Sequence, residues 1–175
     1  MDLYVKSPNA AVWNGKTLRC AVGREGFISF AEKREGDGAT PIGHWPMREV
    51  FYRPDRLTKP QTALPVRALQ QGDGWCDSYE DPNYNRLVLL PYKASAENLW
   101  RGDDLYDIIV VLGYNDDPPV PGKGSAIFLH IGHPDYSPSA GCVHLSREDL
   151  LMVLREADRS SLVIIDPSSE TTENR

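Results

Sequence analysis

What the chain lacks narrows it first. No stretch approaches the roughly 18 consecutive apolar side chains that a membrane-spanning helix needs, so no such span is expected. There is no basic excess either: 19 Lys and Arg stand against 25 Asp and Glu, a net charge of −6. A nucleic-acid surface requires clustered cations, and nucleic acid is not expected as a partner. Cysteine is scarce. The three present, Cys20, Cys76 and Cys142, cannot all pair, and their spacings match neither a zinc knuckle nor a CxxC redox pair. Reduced thiols suit the cytoplasm. Met1 to Lys6 lack the basic flank and apolar stretch of an export signal. The expected location is therefore cytoplasmic if Met1 is the native start, and periplasmic if a signal has been removed.

What is present points to one mostly β domain. With 175 residues, 41% of them hydrophobic, the chain is long enough for one core and short for two. Residues 1–166 are expected to form this domain, mainly β with a few helices, and 167–175 a polar tail. Asn14-Gly15 is a hairpin turn between strands at Ala10–Trp13 and Thr17–Val22. Cys20, on the second strand, reads as a small core residue. Residues 31–43 are charged and glycine-rich, a loop leading into a strand at His44–Tyr52. Residues 53–91 carry five prolines and a polar-aromatic patch, and so long a loop is usually functional or disordered. Its aromatics and the apolar runs Ala63–Leu69 and Leu87–Leu90 favour an ordered insertion lining a cleft. Ser95–Arg101 reads as a short helix capped by Ser95. Tyr106–Gly113 is nearly all apolar and rich in β-branched residues, which predicts a central strand covered on both faces. Ser125–Ile131 is another strand, Ser146 caps a helix over Glu148–Ala157, and Ser161–Ile165 is the last strand.

The chemistry is concentrated in Ser125–Leu145, SAIFLHIGHPDYSPSAGCVHL. His130 closes an apolar run, and eleven residues separate it from Cys142, enough chain to leave the strand, turn and return beside it. A free thiol has a pKa of about 8.5, so near neutral pH it is a weak nucleophile unless a neighbouring base takes its proton. The small Ser139, Ala140 and Gly141 let a carbonyl approach the backbone N–H groups at Gly141 and Cys142, as an oxyanion hole requires. The duller alternative is a structural core cysteine and a histidine satisfying a core hydrogen bond. Zinc competes as well, because His130, His133, Cys142 and His144 fall within fifteen residues. Their spacing fits neither a paired-ligand knuckle nor a helical His-x-x-x-His site, and no metal is assigned. Arg86 offers a planar guanidinium for a substrate carboxylate, or else for an internal salt bridge.

The stretch resembles the signature of the L,D-transpeptidase (YkuD-like) family, in which a histidine precedes, by a loop, a Ser/Thr-His-Gly-Cys stretch followed by an apolar residue and Arg or Asn. The matching positions are His130, Ser139, Gly141, Cys142, Val143 and Leu145. Ala140 departs where the family carries histidine, and His144 where it carries Arg or Asn. Upstream, Asp37 to Gly43 (DGATPIG) resembles the family's Thr-Pro-x-Gly turn.

The resemblance implies a β-sandwich in which Cys142 is the nucleophile and His130 the base, with Gly141 and Ser139 supporting the oxyanion and no cofactor. The implied partner is a peptidoglycan stem peptide or muropeptide, cleaved between the L-centre of a diamino acid and the terminal D-alanine. His144, His133, Arg86 and Asn115 are the expected substrate-binding residues. In the family a backbone carbonyl tends to orient the histidine; Asp135 and Asn115 are the side-chain candidates for that task. With water as acceptor the enzyme is an L,D-carboxypeptidase of cytoplasmic muropeptide recycling, the favoured expectation. With an amine it is a periplasmic crosslinking L,D-transpeptidase. A wall-peptide binding module without turnover is the alternative of another class.

Overall fold

A computed structural model describes residues 1–168. The elements in chain order are β1 (Leu3–Ser7), β2 (Ala10–Trp13), β3 (Lys16–Ala21), β4 (Phe27–Ile28), β5 (Thr40–Pro41), β6 (Gly43–Tyr52), β7 (Val66–Ala68), β8 (Asp73–Cys76), β9 (Leu87–Leu89), β10 (Ala96–Asn98), β11 (Ile108–Leu112), β12 (Phe128–Ile131), β13 (Val143–Leu145), helix α1 (Arg147–Glu156) and β14 (Leu162–Ile165). The fold is mostly β, and α1 is the one helix among the described residues. Of the expected tail, 169–175 lie outside those residues.

The largest sheet has nine strands in the order β11-β12-β13-β3-β2-β1-β14-β6-β7, and β11 also pairs with β6, so the sheet closes on itself. The ten-residue β6 makes the closure. Its first half runs antiparallel to β14 (Trp45↔Val163), and its second half antiparallel to β11 (Val50↔Val110). Pro46 stands at the changeover, where it has no N–H to offer a ladder and its carbonyl accepts from Gly113 N–H at 2.8 Å. The Asn14-Gly15 hairpin forms between β2 and β3, both residues at positive φ (47° and 75°), which lets the strands keep their native twist.

Two hydrophobic cores follow from the alternation of strand side chains. Ile108, Val110 and Leu112 of β11 point into the main core with Leu129, Val143, Leu145 and the α1 residues Leu150, Val153 and Leu154. Ile109 and Val111 point to the opposite face, where Phe51, Leu69, Trp75, Leu99, Tyr106 and Phe128 form a second core that includes Cys142. This is why the YDIIVVLG run is apolar throughout: β11 is covered on both sides. The cover on the second face is the segment from 53 to 106, an ordered layer. It adds β7 to the main sheet and holds a small sheet in the order β10-β8-β9.

One expected element is corrected. Ser95–Arg101 is not a helix: Ala96–Asn98 is β10, pairing antiparallel with β8 (Glu97↔Trp75). A helix this short scarcely offsets its nucleation cost in isolation. The open edge of β8 supplies backbone partners, and Leu99 N–H donates to the Asp73 carbonyl at 3.0 Å. Helix α1 begins as the sequence predicts. Ser146 Oγ accepts from Asp149 N–H at 3.1 Å and donates to its carboxylate at 2.9 Å, satisfying an orphan donor of the first turn.

Candidate active site

β12 and β13 are parallel neighbours with Leu129↔Val143 and His130↔His144 in register. Because side chains alternate, His130 and His144 share one face, and Cys142, directly before Val143, shares it with them. All three line one cavity of about 460 Å³ above the second core. Cys20 and Cys76 are fully buried elsewhere and do not line it.

The loop that presents Cys142 is stapled by its own Ser139 and by residues between Val22 and Thr40. Ser139 Oγ donates to the Cys142 carbonyl at 2.6 Å and accepts from Gly141 N–H at 3.0 Å. Ser139 N–H donates to the Val22 carbonyl, and its own carbonyl accepts from Arg24 N–H, both at 2.9 Å. Thr40, from the DGATPIG turn, donates its hydroxyl to the Gly141 carbonyl at 2.8 Å and accepts from Gly23 N–H at 2.8 Å. Gly141 has φ of 140°, and a Cβ there would lie 3.0 Å from the Ala39 carbonyl oxygen, so only glycine fits without strain. One expectation is corrected here. The Gly141 N–H, read as an oxyanion donor, is spent on Ser139, and Gly141 and Ser139 act on the shape of the loop.

The Cys142 thiol donates to the Ala126 carbonyl at 3.2 Å and accepts from Phe128 N–H at 3.4 Å. Burial, then the negative charge of Glu97, pushes its pKa up to about 12. His130 Nδ1 lies 2.7 Å from the Ile131 carbonyl oxygen, which only accepts, so Nδ1 carries the proton and Nε2 the lone pair. A backbone carbonyl thus fixes the tautomer, and Asp135 and Asn115 do not. Burial, then the neighbouring His144, brings the His130 pKa down to about 3, with the Ile131 and Leu105 backbone pulling the other way. At rest the pair is a neutral thiol and a neutral imidazole. Tyr106 meets His130 edge to face at 5.1 Å between centroids, and His144 stacks on His130 at 5.2 Å and 20°. Gly132 closes down on His144, where a Cβ would meet Nδ1 at 2.5 Å.

The other expected binding residues divide. His144 and the exposed His133 line the cavity. Arg86 does not: it is exposed, away from the lining, and forms no ion pair among the described residues. Asn115 does not either, because its side chain clamps its own loop, donating to the Val120 and Gly124 carbonyls at 3.1 and 2.9 Å and accepting from Val120 N–H at 2.7 Å. Of the 53–91 segment only Asp77 reaches the cavity; the wall beyond it comes from Glu97, Arg101, Leu105 and Tyr106. No three His, Cys, Asp or Glu side chains are grouped to hold a metal ion among the described residues.

A family model described as the L,D-transpeptidase catalytic domain (YkuD) matches residues 3–165. The chain belongs to this family. Comparisons with curated proteins and with solved structures found no match. L,D-transpeptidases of this family are cysteine enzymes acting on peptidoglycan peptides. In this L,D-transpeptidase domain the two departures from the motif have different surroundings: Ala140 is exposed at the cavity rim, whereas His144 is buried inside it.

Sequence reasoning did not single out Asn85. Its Oδ1 accepts from Trp75 Nε1 at 2.8 Å and from Ala126 N–H at 3.0 Å, and its Nδ2 donates to the Tyr114 and Asn115 carbonyls at 3.0 and 2.8 Å. Ala126, at φ of 53°, is the residue whose carbonyl holds the thiol. The only signal was an Asn in an aromatic patch, which does not reveal a partner forty-one residues on.

Proposed function

We propose that Cys142 and His130 carry acyl transfer on peptidoglycan stem tetrapeptides, with water as acceptor, making the protein an L,D-carboxypeptidase. The observation that carries the reading is the placement of thiol and imidazole on one face of adjacent parallel strands, inside one cavity, with Nδ1 of the base already committed. On substrate binding Sγ turns from the Ala126 carbonyl towards His130 Nε2 and attacks the carbonyl of the diamino acid. The proton passes to Nε2, where the Ile131 and Leu105 carbonyls favour the imidazolium, and then to the departing D-alanine amine. The Cys142 N–H is the donor the loop offers to the oxyanion, and water releases the acyl group.

Water is favoured because Cys142 is only 8% exposed at the base of a cavity of about 460 Å³, a volume that one peptide arm occupies. The free thiols of Cys20, Cys76 and Cys142 suit turnover in a reducing compartment, the cytoplasm. One feature favours an amine acceptor instead: a second groove of about 220 Å³, flanked by Arg19 and Arg24, meets the cavity at Pro138.

Incubation with a defined tetrapeptide separates these readings. Tripeptide plus free D-alanine is the expected result, and peptide dimers would establish transpeptidation. Binding without any product would make the domain a wall-peptide binding module.

A further inference from the structure

The cavity holds more negative charge than its own cations answer. Glu35, Asp77 and Glu97 line it with Lys33 and Arg101. Both cations are committed to other carboxylates: Lys33 Nζ lies 2.6 Å from Asp37 Oδ1, and Arg101 reaches both oxygens of Asp103 at 2.8 and 2.5 Å. Glu35 accepts from the Tyr84 hydroxyl, and Glu97 from the Tyr106 hydroxyl at 2.6 Å. Neither these two nor Asp77 forms an ion pair among the described residues. Glu97 feels the other two. Burial pushes the Glu97 carboxyl above its ordinary range against the pull of the Tyr106 bond and Arg101, and the charges of Asp77 and Glu35 add to the push.

A second observation says what is missing. His144 is 2% exposed, lines the same cavity, and has no hydrogen-bond partner at either ring nitrogen. Asp77 Oδ1 is buried and equally without a partner. Buried polar atoms are satisfied as a rule, and those left open in a cavity mark a place for a ligand group. Burial holds His144 neutral at pH 7, its pKa near 4, so it brings no positive charge for a carboxylate; it offers one lone pair and one N–H. A ligand carboxylate would meet three like charges. A primary ammonium has three N–H donors and no acceptor, and answers carboxylates and an imidazole lone pair alike.

We infer that Glu35, Asp77 and Glu97, together with His144, form a subsite for a primary ammonium on the peptide donor. The inference rests on the acyl-transfer reading and names the part of the substrate the cavity grips: the free side-chain amine of the diamino acid whose carbonyl Cys142 attacks.

The test uses two tetrapeptides identical except that the side-chain amine is free or acetylated. Their affinities for the full-length Cys142→Ala protein are measured by calorimetry, with and without Asp77→Asn and Glu97→Gln; the Gln retains an acceptor for Tyr106. The free amine is expected to bind about ten- to a hundredfold tighter, and the double substitution to cut that preference to less than about threefold. Equal affinities, absence of binding by either peptide, or a preference that the double variant leaves intact would each overturn the subsite. The comparison on the unsubstituted cluster decides even if the double variant fails to fold. Turnover by the wild-type protein separates the two claims. Preference without product sinks the enzymatic reading and leaves the subsite, and product without preference does the reverse.

Discussion

Thr40 and Gly141 are 101 residues apart, yet one hydroxyl joins them and fixes the loop before Cys142. Thr40→Val keeps the shape and removes both bonds, leaving the buried Gly141 carbonyl and Gly23 N–H unsatisfied. The expected cost is about 1–3 kcal/mol by urea denaturation, with lower tetrapeptide turnover, and Thr40→Ser should recover most of both. Asn85→Ala frees Ala126, so turnover should fall while the thiol, no longer held by a fixed carbonyl, alkylates at a changed rate. An unaltered alkylation rate would remove Asn85 from the positioning of Cys142. The proximity of His130 and Cys142 was legible because both lie in one short stretch with a turn between them. Glu97 and Asp77 were not, since pairing of β8 with β10 brings them to the cavity and no local pattern encodes it. Gly141 shows another limit: its place beside the cysteine was readable, but not that Ser139 would take its N–H.

At the scale of elements, β11 carries the architecture. Ile109 is fully buried in the second core beneath the layer that walls the cavity. Ile109→Ala should cost about 2–5 kcal/mol in chemical denaturation, and loss of that layer should expose Trp75 to quenchers; a cost below about 1 kcal/mol would mean that the layer is not packed on β11 as described. The strand itself was plain in the sequence, because an apolar run of this length with β-branched residues fits a doubly covered strand. The segment 95–101 was misread for a related reason. Its local propensities were weak, so the free edge of β8 decided its conformation, and a tertiary partner is invisible to a seven-residue window.

For the whole molecule, two buried imidazoles tie stability to pH. The unfolded chain takes protons on His130 and His144 near their ordinary pKa of 6.5, whereas the folded protein does so only at about 3 and about 4. Between these values the unfolded state binds more protons. The stability that comes from keeping them neutral is therefore fully present above about pH 6.5 and is lost progressively as pH falls from there to about 4 for His144 and about 3 for His130. His144→Gln should make the slope of unfolding free energy between about pH 4 and 6 shallower by about 1 kcal/mol per pH unit, and an unchanged slope would show that His144 is not held neutral. His130→Gln should lower tetrapeptide turnover by about 10²–10⁴, the usual contribution of a general base. The claim beneath all of this is that one thiol, Cys142, takes the acyl group. Intact-protein mass spectrometry after exposure to a carbapenem, whose strained carbonyl stands in for the donor, tests it most directly. The account predicts a single covalent adduct that maps to Cys142 and disappears in Cys142→Ser. An unmodified wild-type protein, or an adduct on Cys20 or Cys76, would contradict it.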